Sequence, residues 1–212
     1  MTINHHLTDA LLLAYAAGQL SEAFNLVTAT HISMCDECRA RLASYDALGG
    51  AVFEQSGSVE MADDSLGRTL QRLAIPLGEP ERRVATSDVP APLADYLGGN
   101  LPSVRWRPIG MGVRQAILRT STTASARLLY IPEGVAVPDH GHRGAELTLV
   151  LRGAFRDSTD RFGRGDIEVA DATLTHQPVA EAGEPCICLA ATDAPLRFSA
   201  LLPRLAQRFM RI

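Results

Sequence analysis

A helical segment followed by an antiparallel β-barrel of jelly-roll type is the architecture that this 212-residue sequence predicts, a multidomain α plus β chain. Up to about residue 75, apolar residues recur at the spacing of a helix. From about residue 93, short aliphatic runs alternate with glycine and proline turns. Charge divides the chain at the same place. Residues 1–75 hold nine acids against four arginines, and 76–212 hold fifteen acids against sixteen arginines. Two modules with different partners follow from that asymmetry.

Thr8 or Asp9 caps a first helix in which Leu7, Leu11, Ala14 or Tyr15, and Gly18 share a stripe. Ser21 and Glu22 open a second, with Leu20, Phe24, Val27 and His31 on one face. A third starts near Asp36 and aligns Cys38, Leu42, Tyr45, Leu48 and Val52. Gly49 and Gly50 are expected to weaken or end it, at up to about 1 kcal/mol each. A fourth covers Asp64 to Ala74, with Leu66, Leu70 and Leu73 on its apolar side. Residues 76–92, with four prolines, read as an exposed linker. Between 93 and 195 the runs 127–131, 147–151 and 186–189 read as strands. The tail, 196–212, carries four arginines and no acids. Its leucine spacing suits an amphipathic helix packed on the barrel better than a membrane anchor.

Composition excludes several function classes. The net charge of −4 argues against a phosphate-gripping protein, and the acidity of the helical part argues against a zinc-dependent DNA-binding repressor in particular. The amino terminus lacks the basic start and apolar core of a signal peptide, and no apolar run approaches the roughly 20 residues that span a bilayer. A cytoplasmic protein is expected. Its four cysteines form two tight pairs, Cys35/Cys38 and Cys186/Cys188, which point to metal or redox chemistry in preference to disulfide scaffolding.

His31, Cys35 and Cys38 are the sharpest signal in the helical part. Spacings of four and three bring all three toward one point if a turn begins near Cys35. Two thiolates and two imidazoles suit tetrahedral zinc. His6 can return as fourth ligand if the first helices form a hairpin, and His5 competes with it. A redox dithiol, or two buried apolar cysteines, is the alternative. This pattern, in an acidic four-helix module, resembles the zinc-binding anti-sigma domain. The resemblance implies that His6, His31, Cys35 and Cys38 ligate zinc. It also implies that the module sits between the two DNA- and core-binding regions of an extracytoplasmic-function sigma factor. An acidic module suits a partner whose working surfaces are basic. Leu12, Leu13, Phe24, Leu26, Val52 and Phe53 are candidates for that contact or for the module's own core.

Gly134-x5-His140-x-His142-x3-Glu146-x6-Gly153 matches the first motif of the cupin family. His140 and His142 project to one side of an extended chain, and Glu146 returns after a short turn. The second motif is looser. Asp171 and Thr173 stand where proline and glycine are usual, and Ala180 where asparagine is, while His176 falls at the ligand position. Three imidazoles and a carboxylate accommodate zinc, manganese, iron or nickel. Asp139, Arg143 and Asp171 are the only other acid–base candidates nearby. Cys186 and Cys188 share one side of a late strand, as small apolar fillers or as oxidisable neighbours of the metal.

A zinc anti-sigma domain (1–75) joined by a linker (76–92) to a cupin (93–195) is similar to the ChrR-type anti-sigma factors over essentially the whole chain. The resemblance implies a non-enzymatic regulator carrying two zinc sites. It would bind one sigma factor, touch neither nucleic acid nor membrane, and release its partner under singlet-oxygen-type stress sensed by the cupin. The rival expectation is a mononuclear cupin dioxygenase or isomerase with an accessory zinc module.

Overall fold

The computed structural model describes residues 2–75 and 89–198. Its helices are α1 (Asp9–Ala16), α2 (Glu22–Met34), α3 (Asp36–Glu54), α4 (Ser65–Leu73) and α5 (Ala91–Leu97). The strands are β1 (Arg107–Gly110), β2 (Val113–Ile117), β3 (Ser125–Ile131), β4 (His140–Gly141), β5 (Glu146–Arg152) and β6 (Ala154–Arg156). They continue with β7 (Arg161–Gly163), β8 (Ile167–Ala170), β9 (Thr175–His176), β10 (Val179–Ala180), β11 (Cys186–Thr192) and β12 (Arg197–Phe198). Thr8 caps α1, its hydroxyl accepting from the Leu11 N–H, and Cys35 Sγ accepts from the Cys38 N–H at the start of α3.

The barrel is one antiparallel six-stranded sheet, ordered β1-β2-β3-β11-β5-β8, facing two three-stranded sheets, β10-β6-β7 and β12-β4-β9. The large sheet is covered on both faces. Alternate residues Val150, Ile131, Cys186 and Cys188 point inward with Phe155 and Phe162 as the barrel's own core. The other set, including Leu128, Leu147, Leu149, Leu189 and Ala191, shares a single core with Leu7, Leu12, Phe24 and Val27 of the helices. Helix α2 lies across β3, β5 and β11 and is flanked by α5. Two buried faces explain why 147–151 is a nearly unbroken apolar run.

Several expectations change here. Helix α3 does not stop at Gly49-Gly50 but runs to Glu54. Neither glycine takes the positive φ that ends a helix, so they tax it without terminating it. Leu66, Leu70 and Leu73 of α4 are not covered by a core, at 70%, 56% and 75% exposed. Of the candidate contact residues, Leu12, Phe24 and Leu26 are buried in the shared core, whereas Leu13, Val52 and Phe53 are exposed. At the far end of the expected linker, Val89 is buried and Pro90 caps α5. The expected helical tail does not begin at 196, because Arg197 and Phe198 form β12 against β4. Residues 76–88 and those from 199 onward lie outside the described residues. No described helix is long and apolar enough to cross a membrane.

Candidate metal centres

The turn between α2 and α3 builds the first centre. His31, at the end of α2, Cys35 at the junction and Cys38 one turn into α3 converge with His6, their ligand atoms all within 4.8 Å of one another. His31 Nε2 lies 3.2 Å from Cys38 Sγ, and His6 Nδ1 lies 3.3 and 3.7 Å from Cys35 and Cys38 Sγ. Bonds of about 2.3 Å to sulfur and 2.1 Å to nitrogen require ligand separations of roughly 3.4–3.8 Å in a tetrahedron, so the four groups fit one zinc ion.

Both imidazoles are oriented by their other nitrogen. His31 Nδ1 donates to the carbonyl of Gly165 at 2.9 Å, and His6 Nε2 sits 3.2 Å from the Glu37 carboxylate. Burial lowers the His31 pKa to about 4, keeping it the neutral imidazole a metal needs, and raises the Cys38 thiol to about 11. His5 turns away. Its ring lies tilted against Phe162 and reaches Asp160, while its backbone N–H and that of Asn4 donate to Asp166 Oδ1 at 3.0 and 2.6 Å.

The second centre sits in the barrel. His140 on β4 lies directly opposite His176 on β9. Their Nε2 atoms are 3.2 Å apart, and His142 Nε2 is 3.3 Å from His176 Nε2. The turn into β9, where glycine is replaced by Thr173, is closed by Asp171 Oδ1, which accepts from both the N–H and the hydroxyl of Thr173. His140 Nδ1 donates to the Pro138 carbonyl, leaving its Nε2 lone pair free. His176 Nδ1 meets two carboxylates, Asp157 at 2.7 Å and Glu168 at 3.0 Å. Burial alone would lower the His176 pKa, but those carboxylates outweigh it and raise it to about 9. Burial likewise pushes Glu168 up, while for Asp157 the bonds from Thr159 and His176 overcome burial and hold its carboxyl low. Glu146 lines the same cavity but stands to one side. Its Oε2 is 3.5 Å from His142 Nδ1, a buried atom with no hydrogen bond of its own, and its Oε1 accepts from Thr148. Three converging imidazoles fit a divalent ion.

Residues 98–194 match the family model described as the ChrR cupin-like domain. Over 213 aligned residues, all of both chains, the sequence is 62% identical to the anti-sigma-E factor ChrR of Cereibacter sphaeroides. The chain belongs to the ChrR family of anti-sigma factors. The crystal structure of Rhodobacter sphaeroides SigE in complex with the anti-sigma ChrR has a ChrR chain that resembles this one with a TM-score of 0.83 and 61% identity. That match covers 91% of this chain and 100% of that one.

In this ChrR-family chain, five of the six histidines lie in the two centres. Asp157, Asp166 and Glu168 escape motif reading, and Gly165, the glycine that opens the looser second motif, has a contact with His31 that the motif does not reveal. Asp157 and Glu168 both meet His176 Nδ1, and with it they form a third group whose ligand atoms lie within 4.8 Å of one another. Gly165 and Asp166 act across the junction between helices and barrel. Glu168 is an acid inside an apolar strand, and its parity with Thr148, its partner across β5, is the signal that could have marked it as inward-facing. Cys186 and Cys188 are buried in the inner core with their sulfurs 3.5 Å apart, and only Cys188 reaches the cavity.

Proposed function

We propose that this chain binds one extracytoplasmic-function sigma factor in the cytoplasm and keeps it from the polymerase core. It releases that partner under singlet-oxygen-type stress registered in the barrel. The observation that carries the reading is an apolar surface left uncovered on a module built around a metal tetrad. Leu48, Val52 and Phe53 of α3 and Leu66, Leu70 and Leu73 of α4 are all more than half exposed, Phe53 to 79%. A monomer rarely leaves so much apolar side chain to water without a partner. The relative solved with SigE supports the same partner class, and full-length identity to an anti-sigma factor argues for a regulator over a dioxygenase or isomerase.

Residues 1–75 are the inhibitory module, the stretch that begins at 76 is the linker up to Val89, and the sensing barrel follows α5 and ends with β12 (Arg197–Phe198). His6, His31, Cys35 and Cys38 hold zinc, which would cross-link α2, α3 and the amino terminus. His140, His142, His176 and, from beside them, Glu146 hold a second zinc ion, at a site whose donors suit other divalent metals as well. A short path joins the two. Glu168 braces His176, and Asp166 and Gly165, just before it in the chain, hold Asn4, His5 and His31. Oxidation or ligand change in the barrel thereby has a route to the tetrad.

Co-expression with the sigma factor, followed by size exclusion and metal analysis, tests the reading. A one-to-one complex carrying two zinc ions is expected. A chain that elutes alone, with the sigma factor in a separate peak, would refute it.

A further inference from the structure

The barrel holds a cavity of about 400 Å³ lined by His140, Glu146 and His176 of the metal centre and by residues that centre does not use. Ile109, Met111, Val113, Leu129, Ile131 and Phe155 make its apolar lining. Ligand sites of this size and character hold small organic molecules. Arg127 also lines it, and it is 6% exposed. In the sheet register Arg127 stands opposite Ala190, which stands opposite Thr148, which stands opposite Glu168, so the guanidinium belongs to the cavity's polar end.

Arg127 is incompletely matched. Its Nη1 and Nη2 donate to Gln115 Oε1 at 3.3 Å and Ser125 Oγ at 3.1 Å, both neutral acceptors. Among the described residues no carboxylate lies within ion-pair distance of it. Burying a guanidinium without a counter-ion is unfavourable, because its lost hydration is not replaced by an opposite charge. Burial lowers its pKa, and the field of Glu146 offsets that only in part. A buried cation facing an apolar chamber is complementary to one kind of molecule, an anionic head on an apolar tail.

We infer that the barrel cavity binds a medium-chain monocarboxylate, its head held by Arg127 and its tail laid along Ile109, Met111, Val113, Leu129 and Phe155. This rests on the barrel being the sensing half, for which it names the class of molecule that the barrel receives. Neither centre supplies a bond in it. The forces are a charge-assisted fork at one end and displaced water at the other.

Calorimetric titration of the full-length, metal-loaded protein with octanoate tests this, with 1-octanol and acetate as controls. Saturable octanoate binding is expected, with both controls weaker by about tenfold or more, the loss of either a charged hydrogen-bond pair or the apolar tail. Arg127→Gln should bring octanoate down to the level of 1-octanol while leaving 1-octanol unchanged. Leu129→Phe, which fills the apolar wall and keeps the arginine, should weaken both. No octanoate binding, equal binding by wild type and Arg127→Gln, or acetate binding as well as octanoate would each overturn the inference. The titration contains no sigma factor, so its failure leaves sigma capture standing. Failed sigma capture, in turn, would not alter the titration.

Discussion

His31 Nδ1 lies 2.9 Å from the carbonyl oxygen of Gly165, so an imidazole of the amino-terminal tetrad is aimed by the barrel. The two are 134 residues apart in sequence. Gly165 is held at φ +89°, and a Cβ there would come within 2.6 Å of Ile3 Cδ1. Gly165→Ala is therefore expected to cost about 1–3 kcal/mol, from backbone strain and the clash together. It should also speed loss of metal from the tetrad. Urea denaturation and release to a chromophoric chelator measure the two effects.

Asp166 fastens the same junction by accepting from the Asn4 and His5 N–H groups. Asp166→Ala should destabilise by about 2–3 kcal/mol, since hydrogen bonds to a buried carboxylate exceed neutral ones. Amide exchange at Asn4 and His5 should rise well before exchange in β5 or β11. Equal protection at those two amides in both proteins would contradict the role given to Asp166.

The carboxylates behind His176 predict a selective loss. Asp157→Asn or Glu168→Gln should weaken metal retention in the barrel by about 10–100-fold, the usual cost of removing a partner that orients a ligating histidine. The tetrad should keep its metal. Metal content after dialysis against graded chelator distinguishes one ion lost from two.

The uncovered apolar face predicts the opposite pattern, binding lost with stability kept. Phe53→Asp and Leu70→Asp change exposed side chains, so the unfolding free energy should change by no more than about 0.5 kcal/mol. Sigma capture in a pull-down should fall at least severalfold in each.

How much was readable beforehand depended on whether a residue's role was local. His31, Cys35 and Cys38 lie within eight residues, and His140, His142 and Glu146 within seven, so helical and strand geometry brought each set together on paper. His6 was preferred over His5 only weakly, and it is Asp166 and Phe162 that take His5 away from the tetrad. The shared core under α2 was not legible. A sheet face covered by helices and one covered by a second sheet have the same apolar alternation, and nothing in 147–151 says which neighbour comes. The stripe on α4 was legible as amphipathic, but a stripe does not reveal that Leu66, Leu70 and Leu73 stay more than half exposed. Arg127, Asp157 and Glu168 were hidden because their partners lie on strands that only the barrel's register brings alongside.

The central claim, that the metal tetrad gives the helical module the shape that captures a sigma factor, is tested most directly with Cys35→Ala/Cys38→Ala. The measurement is sigma capture alongside the zinc content of the purified chain. The account predicts one zinc ion lost, helical circular dichroism reduced and sigma capture abolished, while the barrel retains its own metal. Undiminished capture by a chain lacking that zinc would contradict it.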